Sequence, residues 1–250
     1  MKMRFLAVLL AIVCFGCTSD DGLPDRPEVE PTVSNEEPAI SNEEPVEPKI
    51  YGILSLGDSY TIGQSVCETC RFPEQLKDSL AARFPIDTFS VDVIAQTGWN
   101  TTSLLNAIAS ENPPSSYDLV TLLIGVNNQF QGRPFSLYEQ EFPTLVNIAT
   151  TLGKSDATNV IVVSIPDYAF TPFGQSYGSP TVTSAEIDQY NAFANDYCNA
   201  NGITFVNITD ITRQGLANTA LVADDNLHPS TLAYSFFVER LLPVAIDKIQ

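Results

Sequence analysis

Ile53-Leu54-Ser55-Leu56-Gly57-Asp58-Ser59-Tyr60-Thr61-Ile62-Gly63 is the stretch from which the rest of the chain can be read. An apolar run rich in Ile and Leu stops at Gly57-Asp58-Ser59, as a buried strand does when it presents a serine at its carboxyl end. In an open α/β sheet that end is where ligands bind. Ser59 is therefore a candidate nucleophile; the plainer alternative is a turn serine capping the next helix. A serine hydroxyl is a poor nucleophile at neutral pH. The first reading thus requires a base, an orienting carboxylate and an oxyanion hole from the rest of the chain.

Strand and helix patterns alternate from Ile50 onward. Strands are expected at 51–57, 89–95, 118–125, 159–165 and 203–207, and helices at 73–84, 101–111, 137–152, 183–201 and 230–249. In the first of these helices Leu76, Leu80, Ala81 and Phe84 fall at helical spacing. The run 118–125 is apolar on both faces, which suits a central parallel strand. The alternation predicts an α/β fold, a three-layer α/β/α sandwich with a central, mostly parallel five-stranded sheet, over 50–250.

Composition narrows the chemistry. The formal charge of −18 and the lack of a basic stripe argue against nucleic acid as a partner. His228 is the single histidine, so an imidazole base could be no other residue. The same scarcity argues against a zinc site, and no metal or other cofactor is expected.

Residues 1–17 read as an export signal. Lys2 and Arg4 precede an uninterrupted apolar run from Phe5 to Phe15, too short to span a bilayer, and Gly16 precedes Cys17. The Gly-Cys ending resembles the lipobox of bacterial lipoproteins, although Cys14 and Phe15 stand where that pattern prefers Leu and a small residue. The resemblance implies lipidation of Cys17, a membrane anchor and a place on the cell envelope, facing periplasm or exterior. An ordinary secretory signal is the alternative. Residues 18–49 hold six prolines and ten acids, and Ser34-Asn35-Glu36-Glu37-Pro38 recurs as Ser41-Asn42-Glu43-Glu44-Pro45. With few apolar residues to offset ordering entropy, this segment is expected to be an extended, disordered tether. A partner-binding acidic tail is the other reading.

Three more strand ends carry polar or glycine signals. They are Gln96-Thr97-Gly98-Trp99-Asn100, Gly125-Val126-Asn127-Asn128 and, before the last helix, Asp224-Asp225-Asn226-Leu227-His228-Pro229. With Gly57-Asp58-Ser59, these four blocks in this order resemble the SGNH hydrolases, the GDSL esterase/lipase family, over about 170 residues. The resemblance implies a flavodoxin-like sheet. It also implies a serine esterase with Ser59 as nucleophile and the backbone N–H groups of Ser59 and Gly98 and the side chain of Asn127 as oxyanion hole. The residues agree: His228 could take the serine proton, and Asp225, three residues earlier, could hold the other ring nitrogen. Asp224 is the alternative orienter. Pro229 suits the start of the final helix, which would set His228 near its N-cap. Glycine at 98 would let a backbone donor approach substrate with no Cβ in the way. Asn128 replaces a common aspartate of the family's third block, and Tyr60 a common leucine of its first. Tyr60 and Trp99 could each line a pocket or pack in the core.

Cys67 and Cys70 are expected to form a disulfide in an exported protein, with Cys198 buried and free. Pairing of Cys198 with either remains open, as does a redox motif. The family covers lipases, lysophospholipases, thioesterases and carbohydrate deacetylases. The expected partner is a small-molecule or glycan ester, with a short acyl or acetyl ester on carbohydrate preferred. Tyr168, Phe170, Phe173 and Tyr177, after the fourth strand, could stack on a sugar, receive an acyl chain or pack on each other. A catalytically silent surface binding lipoprotein is the reading from another class. Oligomeric state is not legible.

Overall fold

The computed structural model describes residues 47–249. The leader, Cys17 and nearly all of the tether lie outside the described residues.

Five strands build the sheet: β1 (Ile50–Gly57), β2 (Thr88–Ala95), β3 (Leu119–Leu123), β4 (Val160–Val163) and β5 (Thr204–Val206). Their order is β2-β1-β3-β4-β5, and every pairing is parallel. Parallel neighbours need crossovers, and helices supply them. α2 (Phe72–Arg83) and α9 (Thr231–Ile249) pack together, α2 against β2 and α9 against β3. α3 (Thr101–Glu111), α5 (Phe135–Leu152) and α7 (Pro180–Ala200) form the other helical group. The α/β/α expectation holds, with a sheet that is wholly parallel.

Burial follows strand position. Every residue of β3 and β4 is buried, so both strands are continuous Val, Ile and Leu with one threonine. β2 lies at an edge, and most of its residues keep some exposure. Thr121 in β3 would be a buried polar defect, but its hydroxyl donates to Ser55 in β1 at 2.9 Å.

Short helices open several strand-to-helix connections: α1 (Ser59–Ile62), α4 (Val126–Phe130), α6 (Pro172–Ser176) and α8 (Thr209–Thr212). None is long enough to display a periodicity, which is why pattern reading passes over them. One expected boundary is corrected. Pro229 does not start the final helix; it forms an isolated antiparallel bridge with Val222. Ser230 caps α9 instead, its hydroxyl accepting from Ala233 N–H at 3.3 Å. No helix among the described residues is long and apolar enough to cross a membrane.

Candidate active site

The candidate nucleophile is positioned by the tight end of β1. A Cβ on Gly57 would meet Thr61 Oγ1 at 2.1 Å and the carbonyl oxygen of Leu123 at 2.5 Å. Only glycine lets the turn close against β3. Asp58 then caps α1, its carboxylate accepting from Tyr60 N–H at 3.0 Å. Ser59 is the first residue of α1, so its own N–H lies outside the helical ladder.

Asp58 is fully buried. Burial pushes its carboxyl from 3.8 up to about 7, against hydrogen bonds from Tyr60 N–H and the Asn127 side chain. Asn127 Nδ2 donates to the carbonyl of Trp99 at 3.0 Å and to Asp58 at 3.4 Å. The amide is thereby strung between the turn after β1 and the loop after β2. Asn128 does a different job. It is buried, accepts from Thr101 N–H at 3.0 Å and donates to the Thr101 hydroxyl at 2.6 Å, which pins the start of α3.

Gly98 sits in that loop with φ +84°, exposed, and a Cβ there would meet nothing within 4 Å. Backbone conformation thus gives a reason for glycine here that is separate from the expected clearance for substrate. The Gly98 N–H has no hydrogen-bond partner among the described residues. Its carbonyl accepts from Gln131 Nε2 at 2.8 Å.

His228 and Asp225 come from the turn before α9. His228 Nδ1 and Asp225 Oδ2 are 2.6 Å apart, while Asp225 Oδ1 accepts from the N–H groups of Leu227 and His228, each at 2.9 Å. Burial raises the Asp225 carboxyl, but hydrogen bonds from Ser65, His228 and those two N–H groups prevail and hold it at about 2. Asp224 makes no such contact with His228; its side chain has no hydrogen bond among the described residues.

Ser59, Asn127 and His228 line one cavity with Tyr60, Val126, Phe130, Tyr168 and Leu227. Ser59 and His228 share this space without a hydrogen bond between them in this state, a gap that often tightens only when substrate binds. Tyr60 fulfils both expected roles: it is buried, lines the cavity, and its ring centroid lies 5.0 Å from that of His228. Trp99 packs partly buried against the core.

Of the four aromatic residues after β4, three gather around Phe130, which sequence reading missed. Ring centroids of Tyr168, Phe173 and Tyr177 lie 5.7, 6.2 and 4.9 Å from that of Phe130. Phe170 instead lies under Arg213. Phe130 ends a five-residue helix in which Val126 alone shares its face, and one i,i+4 pair is too short a pattern to mark it. Ser65, which bonds to Asp225, carries no signal in the sequence either, being a lone loop serine. Cys67 and Cys70 are joined, with Cα atoms 4.9 Å apart, and Cys198 is free and buried.

The family model of the GDSL-like lipase/acylhydrolase family matches residues 55–236. The chain belongs to this family. Solved structures resemble it in fold. An acetylxylan esterase from Geobacillus stearothermophilus has a TM-score of 0.61 at 19% identity, covering 78% of this chain and 94% of that one. A lipase/acylhydrolase from Enterococcus faecalis has a TM-score of 0.59 at 18% identity, covering 79% and 95%. The psychrotrophic esterase EstA from Pseudoalteromonas sp. has a TM-score of 0.55 at 16% identity, covering 79% and 97%. No curated protein matches the sequence. In this GDSL-family chain the Gly-Asp-Ser block, the glycine loop, the Gly-x-Asn block and the Asp-x-x-His turn all meet at the carboxyl end of one parallel sheet.

Proposed function

We propose that the protein is a serine esterase that cleaves carboxylic esters through an acyl-enzyme on Ser59. The observation that carries this is the shared cavity of Ser59 and His228, with the far ring nitrogen of His228 held by Asp225 at 2.6 Å. His228 Nε2 takes the Ser59 hydroxyl proton as Oγ bonds to the ester carbonyl carbon. Asp225 fixes the tautomer and stabilises the imidazolium. The resulting oxyanion is received by the N–H groups of Ser59 and Gly98 and by Asn127 Nδ2, whose 3.4 Å contact to Asp58 is the one it gives up. The tetrahedral centre then collapses, its bond to the alkoxy oxygen breaks, and His228 returns the proton to the departing alcohol. Water repeats the sequence on the acyl-enzyme, releasing acid and restoring Ser59.

The substrate we favour is a short acyl ester, acetyl above all, on a carbohydrate. The cavity at Ser59 measures about 50 Å³, space for only a few water-sized groups. Beside it the stacked Phe130–Tyr177 pair stays partly exposed, at 36% and 45%, and offers aromatic surface to a sugar. A lysophospholipase or thioesterase would instead lay its acyl chain on the same rings.

The test is hydrolysis of p-nitrophenyl acetate by the full-length chain beside Ser59→Ala and His228→Ala. Loss of nearly all activity in both variants is expected; wild-type rates in either would sink the mechanism. Acetylated xylo-oligosaccharides, p-nitrophenyl esters of graded chain length and acyl thioesters then rank the substrates, with acetyl glycans expected first. A preference for long acyl chains would favour the lysophospholipase reading. Export and anchoring through Cys17 belong to the same proposal and rest on the leader alone. Cys17→Ser is expected to release the protein from membranes, and unchanged fractionation would count against an anchor.

A further inference from the structure

The loop that follows α1 touches the candidate site twice. Gln64 Oε1 accepts from the hydroxyl of Thr97, next to Gly98, at 2.6 Å. Ser65 Oγ donates to Asp225 Oδ2 at 2.6 Å, the same oxygen that faces His228 Nδ1. Asp225 carries four hydrogen bonds, and three come from its own turn, from Leu227 N–H and from His228 N–H and Nδ1. Among the described residues Ser65 is its one partner from outside that turn, 160 residues away in sequence.

Ser65 is held where it is at some cost. Its φ is +69°, the left-handed region that a non-glycine residue enters against steric resistance. The neighbours enforce it. Gly63 is itself left-handed, and a Cβ there would meet Arg71 Cβ at 2.6 Å. Gln64 N–H bonds to Ser59 O at 2.9 Å, Val66 N–H to Gly63 O at 3.2 Å, and the Cys67–Cys70 disulfide closes the following turn. A backbone outlier so constrained points to a task for its side chain.

We propose that Ser65 is a positioning residue for the Asp225–His228 pair, orienting the carboxylate from across the site. The proposal rests on the reading of Ser59, His228 and Asp225 as a catalytic triad. With Ser65 in place, both carboxylate oxygens are saturated and Oδ2 stays aimed at the imidazole. The donor also withdraws charge from the carboxylate and so moderates its grip on the imidazolium. Other titratable groups face the pair. Asp58 and Tyr60 come from the end of β1 and α1, Asp167 and Tyr168 from the stretch after β4, Tyr234 from α9, and Asp224 adjoins Asp225. Asp167 is already paired with Arg213 at 2.9 Å. None of these groups changes when Ser65 is replaced.

The experiment measures pH profiles of p-nitrophenyl acetate hydrolysis by the full-length chain. Ser65→Ala and Ser65→Gly are expected to lower kcat about tenfold, the value of a hydrogen bond to a charged group, with KM nearly unchanged. Both should move the acid limb of kcat/KM to higher pH, because a carboxylate with one donor fewer holds the imidazolium more tightly. Ser65→Asn tolerates the left-handed backbone and brings an amide donor, so it should restore most of kcat and return the limb. An unmoved acid limb in both the Ala and Gly variants overturns the proposal, whether kcat is intact or uniformly reduced. Ser59→Ala and His228→Ala run alongside. Wild-type rates there bring down the triad reading itself; inactivity there with an unmoved limb in the Ser65 variants removes only the role of Ser65.

Discussion

Asp58 and Asp225 are carboxylates with opposite pH signatures. Asp58 has its folded-state value raised from 3.8 to about 7, so the folded protein holds this proton more tightly than the unfolded chain does. The associated stability is complete below about pH 4 and is lost as pH rises through about 7. In melting curves, the Tm of the wild type minus that of Asp58→Asn should therefore fall as pH is raised from 4 to 7; a flat difference would contradict the raised value. Asp225 runs the other way. Its carboxyl is held at about 2, so its contribution is present above about pH 4 and disappears as pH falls towards 2. Two further residues lend themselves to kinetics. If Asn127 donates to the oxyanion as proposed, Asn127→Ala should reduce kcat about 10²- to 10³-fold with little change in Tm. Gly98→Ala must take a left-handed φ at a cost of roughly 1–2 kcal/mol, or else turn its N–H away. A lower kcat, rather than a higher KM, is the expected outcome. Gly98 and Asn127 stood out in the sequence through the family resemblance of their blocks, each of which follows a strand pattern. The sequence was silent on Asn127's bond to Asp58 and on Ser65, since bonds across 69 and 160 residues leave no local trace.

At the scale of elements, long units were legible and short ones were not. The strand from 51 and the helices 101–111 and 137–152 appear within two residues of expectation, because apolar periodicity over ten residues leaves little choice. α1, α4, α6 and α8 are four or five residues each and are set by caps and tertiary contacts: Asp58 on α1, Thr171 on α6. The aromatic cluster was half visible for the same reason. Tyr168, Phe173 and Tyr177 share the stretch after β4, whereas Phe130 reaches them from α4. The disulfide loop allows an element-scale prediction. Closing so short a loop removes little chain entropy, so Cys67→Ser with Cys70→Ser should cost about 2 kcal/mol in denaturant unfolding. A much larger loss would mean that the bridge supports packing beyond its own turn.

Across the whole molecule, the order β2-β1-β3-β4-β5 brings the ends of β2, β1 and β3 side by side. Gly98, Ser59 and Asn127 each follow one of these strands, so their spacing is inherited from the sheet. That much follows from strand order once the blocks are placed in sequence. His228 and Asp225 are different. They belong to no strand and hang between α8 and α9 on a connection whose stretches 216–220 and 224–226 are exposed. The Val222–Pro229 bridge and its neighbouring backbone bonds, one bond from Phe173 N–H to the carbonyl of Asn226, and side-chain bonds from Ser65 and Ser230 fasten it. Opening of this connection requires far less than unfolding of the sheet. The protein should accordingly lose its enzyme before it loses its fold. On slow heating, esterase activity is expected to fade reversibly several degrees below the calorimetric transition. Amide exchange at 222–228 should rise in step with that loss, while β3 and β4 stay protected. The half of the site built on the sheet would then outlast the half carried by the turn of Asp225 and His228, the proposed proton-transfer pair.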